Sequence, residues 1–435
     1  MVYANDFFGN TDSDILNAAI AGRDSDGFVI IEQRKSDIYP ERHYWLLDNA
    51  ILLPSNTTVI IRNCKLKLSD QCRDNFFRSA NCGLGIEENE PLSNIYIKGE
   101  GNAELEGADH PRATGDSSKI LKNICPFTVE DICKYADWIE DERRTPDKIT
   151  FADRHDYSFG TDAGKEGESQ KGDWRGIGIL FACVSNFSIS GITVRESHGW
   201  AISLEDCSYG YVEKIHFDAR MNKMIDGMLQ NMENQDGIDL RNGCHDITIS
   251  DITGETGDDV VALTAIASPD GRPGGSLGST HVMHHDWTRR DPDIYNVIIR
   301  NIRAYSSLCF LVRLLPCESS IRNVVIDSVV DTSPEDAFCG CITLGEKDAT
   351  YGKNLPESMR NITISNVVYH STDRTAIWLS GYLQDSAISN VVAMRTQSSV
   401  IWVRREDGLK NVKLSNIVYR DGIQMIERHK SKSTC

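Results

Sequence analysis

One phrase recurs along this chain of 435 residues and limits what it can fold into. An Asn or Asp is followed by two apolar residues at alternate positions, then a second small or polar residue and another apolar one. It reads Asn186-Phe-Ser-Ile-Ser-Gly-Ile192, Asp246-Ile-Thr-Ile-Ser-Asp-Ile252 and Asn296-Val-Ile-Ile-Arg-Asn-Ile302. It returns as Asn323-Val-Val-Ile-Asp-Ser-Val329, Asn361-Ile-Thr-Ile-Ser-Asn-Val367 and Asn411-Val-Lys-Leu-Ser-Asn-Ile417, with weaker copies from Tyr209 and Asp385. A second phrase alternates with it, a short strand with two apolar residues one apart. The pairs are Ile202/Leu204, Ile238/Leu240, Val261/Leu263, Val312/Leu314, Ile342/Leu344, Ile377/Leu379 and Ile401/Val403. The shortest step between successive pairs is 23 residues, the length of one turn, and longer steps hold inserted loops.

Short β-branched strands bounded by Gly, Asn, Asp or Ser, with no long helical pattern between them, bury their alternate residues only by stacking on the next turn. The expected fold is therefore an all-β, right-handed parallel β-helix, a single solenoid domain over residues 1–435. Two segments depart from it. Thr11-Asp-Ser-Asp14 precedes an amphipathic stretch and reads as the N-cap of a short helix closing the N-terminal end of the core, a cap of about residues 1–25. Residues of about 108–173 lack the repeat and form an inserted loop and helical segment, a surface insertion or a wall over a cleft.

Composition narrows the partners. The 46 basic and 64 acidic residues leave a net charge of -18, which argues against nucleic acid or an anionic membrane as a generic partner. The 13 cysteines are odd in number and have no paired zinc spacing, which fits reduced, buried thiols. Cys183, Cys207 and Cys244 precede successive copies of the first phrase and are expected to stack inward. No signal-peptide pattern opens the sequence, so a cytoplasmic location is expected, or a secreted one if a leader has been removed.

The chemistry gathers on the second-phrase strands. Asp236 stands two residues before Ile238, and Asp259 stands two before Val261, so they are equivalent positions on adjacent turns, 23 residues apart. Strands lie about 4.8 Å apart, and Asp258 adjoins Asp259, so three carboxylates share one patch. Crowded like charges raise at least one pKa, leaving one acid protonated beside an ionised neighbour, as glycosidic cleavage requires. Turn formation by Asp-Gly and calcium binding are the competing readings of such a cluster.

With these motifs the sequence resembles glycoside hydrolase family 28, the polygalacturonase-like enzymes of the pectin-lyase-like β-helix class. Asn234-Gln-Asp236-Gly-Ile-Asp239 and Gly257-Asp258-Asp259 resemble the family's acidic motifs, and Ser197-His-Gly-Trp200 is similar to its Ser-Pro-x-Trp. Asn5-Asp-Phe-Phe-Gly9, Ile51-Leu-Leu-Pro-Ser-Asn-Thr-Thr-Val59 and Ile95-Tyr-Ile-Lys-Gly-Glu-Gly101 look like its opening coils. The resemblance implies that Asp258 protonates the leaving oxygen while Asp236 and Asp259 activate a water, giving inversion with no cofactor and no metal. It implies substrate contacts at Asp239 and Arg313, the substrate being an oligosaccharide or polysaccharide.

Two departures stand out. The family's Gly-His-Gly is absent before Ser276-Leu-Gly-Ser279, leaving His281, His284 and His285 as candidate substitutes, with His284 and His285 expected to contact substrate. The family's Arg-Ile-Lys reads Arg313-Leu314-Leu315, with Arg289 and Arg290 as other local cations. Trp378 and Trp402 occupy outward positions 24 residues apart, on the face of Arg313, where their rings are available to a sugar, a loop or another subunit. A uronate lyase or epimerase using Arg313 as base, and a non-catalytic carbohydrate-binding β-helix, are the alternative functions.

Overall fold

The computed structural model describes residues 1–110 and 173–429, apart from positions 37, 73, 84, 85, 87, 221, 226, 232–234, 268–280, 283–290, 335–339, 347–351, 373 and 374. Most of the expected insertion, together with His284, His285, Arg289 and Arg290, lies outside the described residues.

Two long parallel sheets carry the chain, one broad with seventeen described strands and one narrow with eleven. The narrow sheet is built from the second phrase. Its strands include Ile202–Glu205, Ile238–Arg241, Val261–Ile266, Phe310–Cys317, Gly340–Leu344, Ile377–Leu379 and Ser399–Val403, in that order. Register is set by the apolar pairs: Ile202, Ile238, Val261, Val312, Ile342, Ile377 and Ile401 stand in one line. Each is almost completely buried, at 0–1% exposure, because the pleat sends alternate residues into the core and the register repeats that choice at every turn.

The broad sheet is built from the first phrase, whose Asn and Asp residues have a structural reason. Asn186, Asp246, Asn296, Asn323, Asn361 and Asn411 all take left-handed φ values between 51° and 57°. They are corners inside the strands, as Asn296 is within Ile294–Ser306, and Asn and Asp tolerate that conformation better than other non-glycine residues. Their side chains also bond from coil to coil. Asn323 Nδ2 donates to Asn296 Oδ1 at 2.9 Å, and Asn361 Nδ2 donates to Asn323 Oδ1 at 3.1 Å. Replacing Asn323 by Ala removes both bonds and puts a Cβ-bearing residue without polar help at a φ of 56°. A loss of about 1–3 kcal/mol is expected in urea unfolding. Asn323→Gly should recover the backbone part of that loss and leave the rest.

At the N-terminal end the expected cap is present as a helix, Asp12–Ala21. Thr11 Oγ1 accepts from Asp14 N and Asp14 Oδ2 accepts from Thr11 N, both at 3.1 Å. Ile15, Leu16, Ala19 and Ile20 turn inward onto the first coils. Ten residues make a marginal helix alone, so this packing holds it.

The thiol stack needs one correction. Cys207 and Cys244 are fully buried in the core, but Cys183 is half-buried. Ser185 pairs with Ser208, so Val184 stands in line with Cys207 and Cys183 stands in line with Asp206. Cys183 and Asp206 share a left-handed φ, 53° and 52°, at the corner before the strand. A one-residue difference in offset therefore took Cys183 out of the core.

Candidate active site

Register builds the site. Since Ile238 pairs with Val261 and Val261 with Val312, the residues two earlier on each strand fall in one column. That column runs Trp200, Asp236, Asp259, Phe310, two carboxylates between two aromatic residues that are each 8% exposed. The backbone locks it: Gly237 N donates to Asp259 O at 2.8 Å, and Ala201 N donates to Asp236 O at 2.8 Å. Asp258 stands one residue before Asp259, with its N–H donating to Gln235 O at 3.2 Å and its Oδ1 accepting from Asp259 N at 2.9 Å.

The carboxylates differ in exposure. Asp236, Asp239 and Asp259 are 7%, 1% and 3% exposed, whereas Asp258 is half-buried and is the most open of the four. Burial pushes Asp236 well above the usual carboxylate range, and the charges of Asp239, Asp258 and Asp259 push it the same way. Burial likewise raises Asp239, against the pull of Arg241 and with the push of Asp259 and Asp258. Asp259 rises to about 7, again through burial, with Arg313 opposing and Asp258 adding to the rise. Crowded acids with unequal surroundings are what an acid and a base need in one site.

Arg313 lies between inward Val312 and Leu314, as the alternation required, and meets the acids directly. Its Nε pairs with Asp259 Oδ2, and its Nη1 reaches Glu346 Oε2 at 3.2 Å. Burial acts to lower the guanidinium pKa, but Asp259, the Cys309 thiol and Glu346 hold it well above its ordinary value. Phe310 N donates to the other oxygen of Asp259 at 3.0 Å.

Asp239 occupies the outward position of its strand, in line with Ser203, Ala262 and Arg313. Its Oδ2 accepts no hydrogen bond from a described residue. Farther along the same row stand Thr343, Trp378 and Trp402. The two tryptophans are adjacent, as their spacing indicated, with ring centroids 4.2 Å apart and planes 31° apart. Each therefore covers part of a face of the other. Trp378 Nε1 donates to Ser380 Oγ at 2.9 Å, which fixes its ring. Trp402 lies four strands from Asp259, about 19 Å at the usual strand spacing, so it is remote from the acids.

Several residues of the site were not singled out by the sequence reading. Cys309 stands in the register of Asp258 one coil on, and one ligand atom each of Asp258, Asp259 and Cys309 lie within 4.8 Å of one another. Both oxygens of Asp259 are already engaged, by Phe310 N and Arg313 Nε, so the trio is better suited to proton chemistry than to holding a metal. Burial raises the Cys309 thiol well above its ordinary value. Arg241, two residues beyond Asp239 on the same face, is fully buried, with its guanidinium 4.5 Å from the Trp200 ring centroid. His281 is not an ordinary loop histidine. It is 7% exposed, with Nδ1 2.9 Å from Glu205 Oε1 and Nε2 against Arg241 Nη2. Burial and Arg241 hold its pKa well below the ordinary value, so the ring is neutral, with Nε2 accepting from Arg241 Nη2 and Nδ1 lying near Glu205 Oε1. The strand parity that placed Asp239 outward also places Glu205 and Arg241 outward, which was the available signal.

Beside this cluster the outer face of the sheet is apolar. Trp174, Ile177, Leu180, Trp200, Ile266, Leu315 and Cys317 pack together there. Leu315 is 3% exposed, so the position two beyond Arg313 belongs to this layer.

Residues 161–269, which contain the acid cluster, match the model of the glycosyl hydrolases family 28. Among solved structures, a polygalacturonase from Erwinia carotovora ssp. carotovora aligns with a TM-score of 0.56 and 14% identity, covering 99% of this chain and 96% of that one. The Streptococcus pneumoniae surface protein and adhesin PfbA aligns with a TM-score of 0.52 and 11% identity, covering 98% and 99%. Identities this low establish the fold alone. No curated protein matches the chain in sequence. The family match lies over the segment that carries the acids, and the parallel β-helix is shared along the whole chain.

Proposed function

We propose that the protein hydrolyses an O-glycosidic bond of a pectic or other plant-type oligosaccharide with inversion at the anomeric carbon. The observation that carries the reading is the column of Asp236 and Asp259 on adjacent strands, with half-buried Asp258 beside it. Asp258, the most open acid, gives its proton to the leaving oxygen as the C1–O bond breaks. Asp236 and Asp259 hold a water on the other side of the ring and take its proton as its oxygen bonds to C1. Arg313 and Phe310 N fix Asp259, so the orientation of the water is set before substrate arrives.

Arg313 as the base of a lyase is disfavoured, because a guanidinium paired with Asp259 and Glu346 has no reason to give up its proton. An adhesin sharing the fold means that architecture alone decides nothing between catalysis and binding, and the acid column favours catalysis. The expected location remains the cytoplasm, where an imported oligosaccharide is the accessible form of substrate, and none of the nine described cysteines forms a disulfide with another described residue. The test is the fresh product, followed by proton NMR on a cleaved oligosaccharide. The first anomer released should be opposite to that of the bond broken, with no new ultraviolet absorption. An unsaturated product, or retention, would sink the assignment.

A further inference from the structure

We infer that the broad sheet carries a second saccharide-binding site, a shallow groove headed by Tyr209 and Tyr211 that holds a short stretch of sugar chain. It lies on a different sheet from the acids, and it stands whether or not the acids hydrolyse a glycoside.

The first observation is a bulky residue at a strained position. By register, Asn94, Asn186, Tyr209, Asp246, Asn296 and Asn323 form one column. Tyr209 takes a φ of 56°, which Asn and Asp tolerate and an aromatic residue does not favour. It also breaks the ladder of amides, because the Asn186 oxygen meets a coil whose residue at this place has no amide to donate. Folding alone is better served by Asn here, so the tyrosine needs another reason. Strain of this kind persists where the surroundings hold it, and it gathers at functional sites.

The surroundings do hold it. The Tyr209 ring meets His245 with centroids 5.6 Å apart and planes at 84°. His245 lies flat on Tyr295 at 4.8 Å, and the Arg322 guanidinium carbon sits 4.1 Å from the Tyr295 centroid. His245 Nδ1 is 2.7 Å from Asp246 Oδ2, which ties the rings to the amide column. Tyr209 nevertheless remains 60% exposed, and Tyr211, outward beside inward Val212, is 56% exposed. Ile298 and Val325 continue the row of Tyr211 on later coils. Tyr209, Tyr211, Asp246, Asn296, Ile298 and Val325 line one groove of about 570 Å³. Small-ligand sites usually measure about 300–1,000 Å³.

Exposed rings beside amide and carboxylate groups select a ligand with an apolar face and a polar rim. A sugar ring is built that way, with C–H bonds on its face and hydroxyls around its edge. A docked protein needs an interface of about 1,000 Å² or more with an apolar centre, and here the amide column runs through the middle. Coils about 4.8 Å apart repeat similar groups along the groove, which suits linked sugars.

The test is affinity electrophoresis in native gels containing soluble galactan, arabinan or highly methyl-esterified pectin. The full chain carries Asp236→Asn throughout, so that no probe is cleaved, and Tyr209→Asn or Tyr211→Ala is added to it. The parent should be retarded in at least one gel, and each added substitution should weaken that binding at least tenfold. The urea midpoint of Tyr209→Asn should hold or rise, since Asn suits the φ and can donate to Asn186 Oδ1. Tyr211→Ala sits at an ordinary outward strand position and should keep the fold, so its loss of binding is not a loss of structure. Retardation unchanged by both substitutions would place the binding elsewhere and overturn the inference. Absence of retardation in all three gels overturns it too. So does a dimer seen by sedimentation that Tyr209→Asn dissociates, which would make the groove a face for a second copy.

Discussion

Asp236→Asn is expected to abolish turnover and at the same time make the protein more stable at neutral pH. The activity loss should be about 10³-fold or more, in the range seen when a positioned acid or base is removed. The gain in stability follows from the site's own electrostatics. Burial and three neighbouring aspartates raise the Asp236 pKa in the folded chain, while the unfolded chain keeps an ordinary carboxylate. A raised folded pKa means that the folded state binds the proton more strongly. As pH climbs above about 4, the unfolded chain releases its proton first. Stability therefore falls with rising pH from that point, and for Asp259 the fall runs to about 7. The amide in place of Asp236 would remove one contributor, raise stability at pH 7 and make stability fall less steeply as pH climbs above about 4. Urea unfolding at a series of pH values measures it. An active variant, or one less stable than wild type at pH 7, would contradict the account. Asp258→Asn should lose activity similarly, while its greater exposure makes its effect on stability smaller.

The second large effect belongs to Arg313. Arg313→Met should cost about 1–3 kcal/mol, because it strips the guanidinium partner from Asp259, which is 3% exposed. Activity should fall with it, since Asp259 would then stay protonated through neutral pH. Adding Asp259→Asn to Arg313→Met removes the carboxyl group left without its partner and should restore part of the stability, while activity stays lost. A double-mutant cycle by urea unfolding reads the coupling directly. Equal losses in the single and double variants would show that the ion pair has no such role.

Much of this site was legible in the sequence because a solenoid converts spacing into position. Once 23 residues make one turn, the separation of Asp236 and Asp259 becomes a statement about neighbours in space. The outward placement of Arg313 followed from its neighbours, Val312 and Leu314, being inward. What remained hidden depended on single-residue offsets and on loops. Cys183 left the expected stack because its corner comes one residue earlier than the Cys207 core position. His281 follows a stretch with no repeat, so nothing in its spacing brought it to Glu205 and Arg241. The stacking of Trp378 on Trp402 was foreseeable as adjacency, but the mutual covering of their faces depends on ring rotation, which sequence does not encode. Leu315 was readable as the absence of a cation. Only packing revealed it as part of an apolar layer.

The corner asparagines have a direction. Asn94 Nδ2 donates back to Asn56 Oδ1, Asn186 to Asn94, Asn323 to Asn296 and Asn361 to Asn323. Each amide gives its hydrogen to the preceding coil and offers its oxygen to the following one. A carboxylate can therefore open such a run but never extend one. Asp246 accepts from Asn296, and Asp385 accepts from Asn411. The molecule is consequently a rod with two unlike ends at every cut: donors on the face toward the N-terminus, acceptors on the face toward the C-terminus. Two coils placed head to head at these corners would bring like groups together, so only head-to-tail stacking continues the pattern.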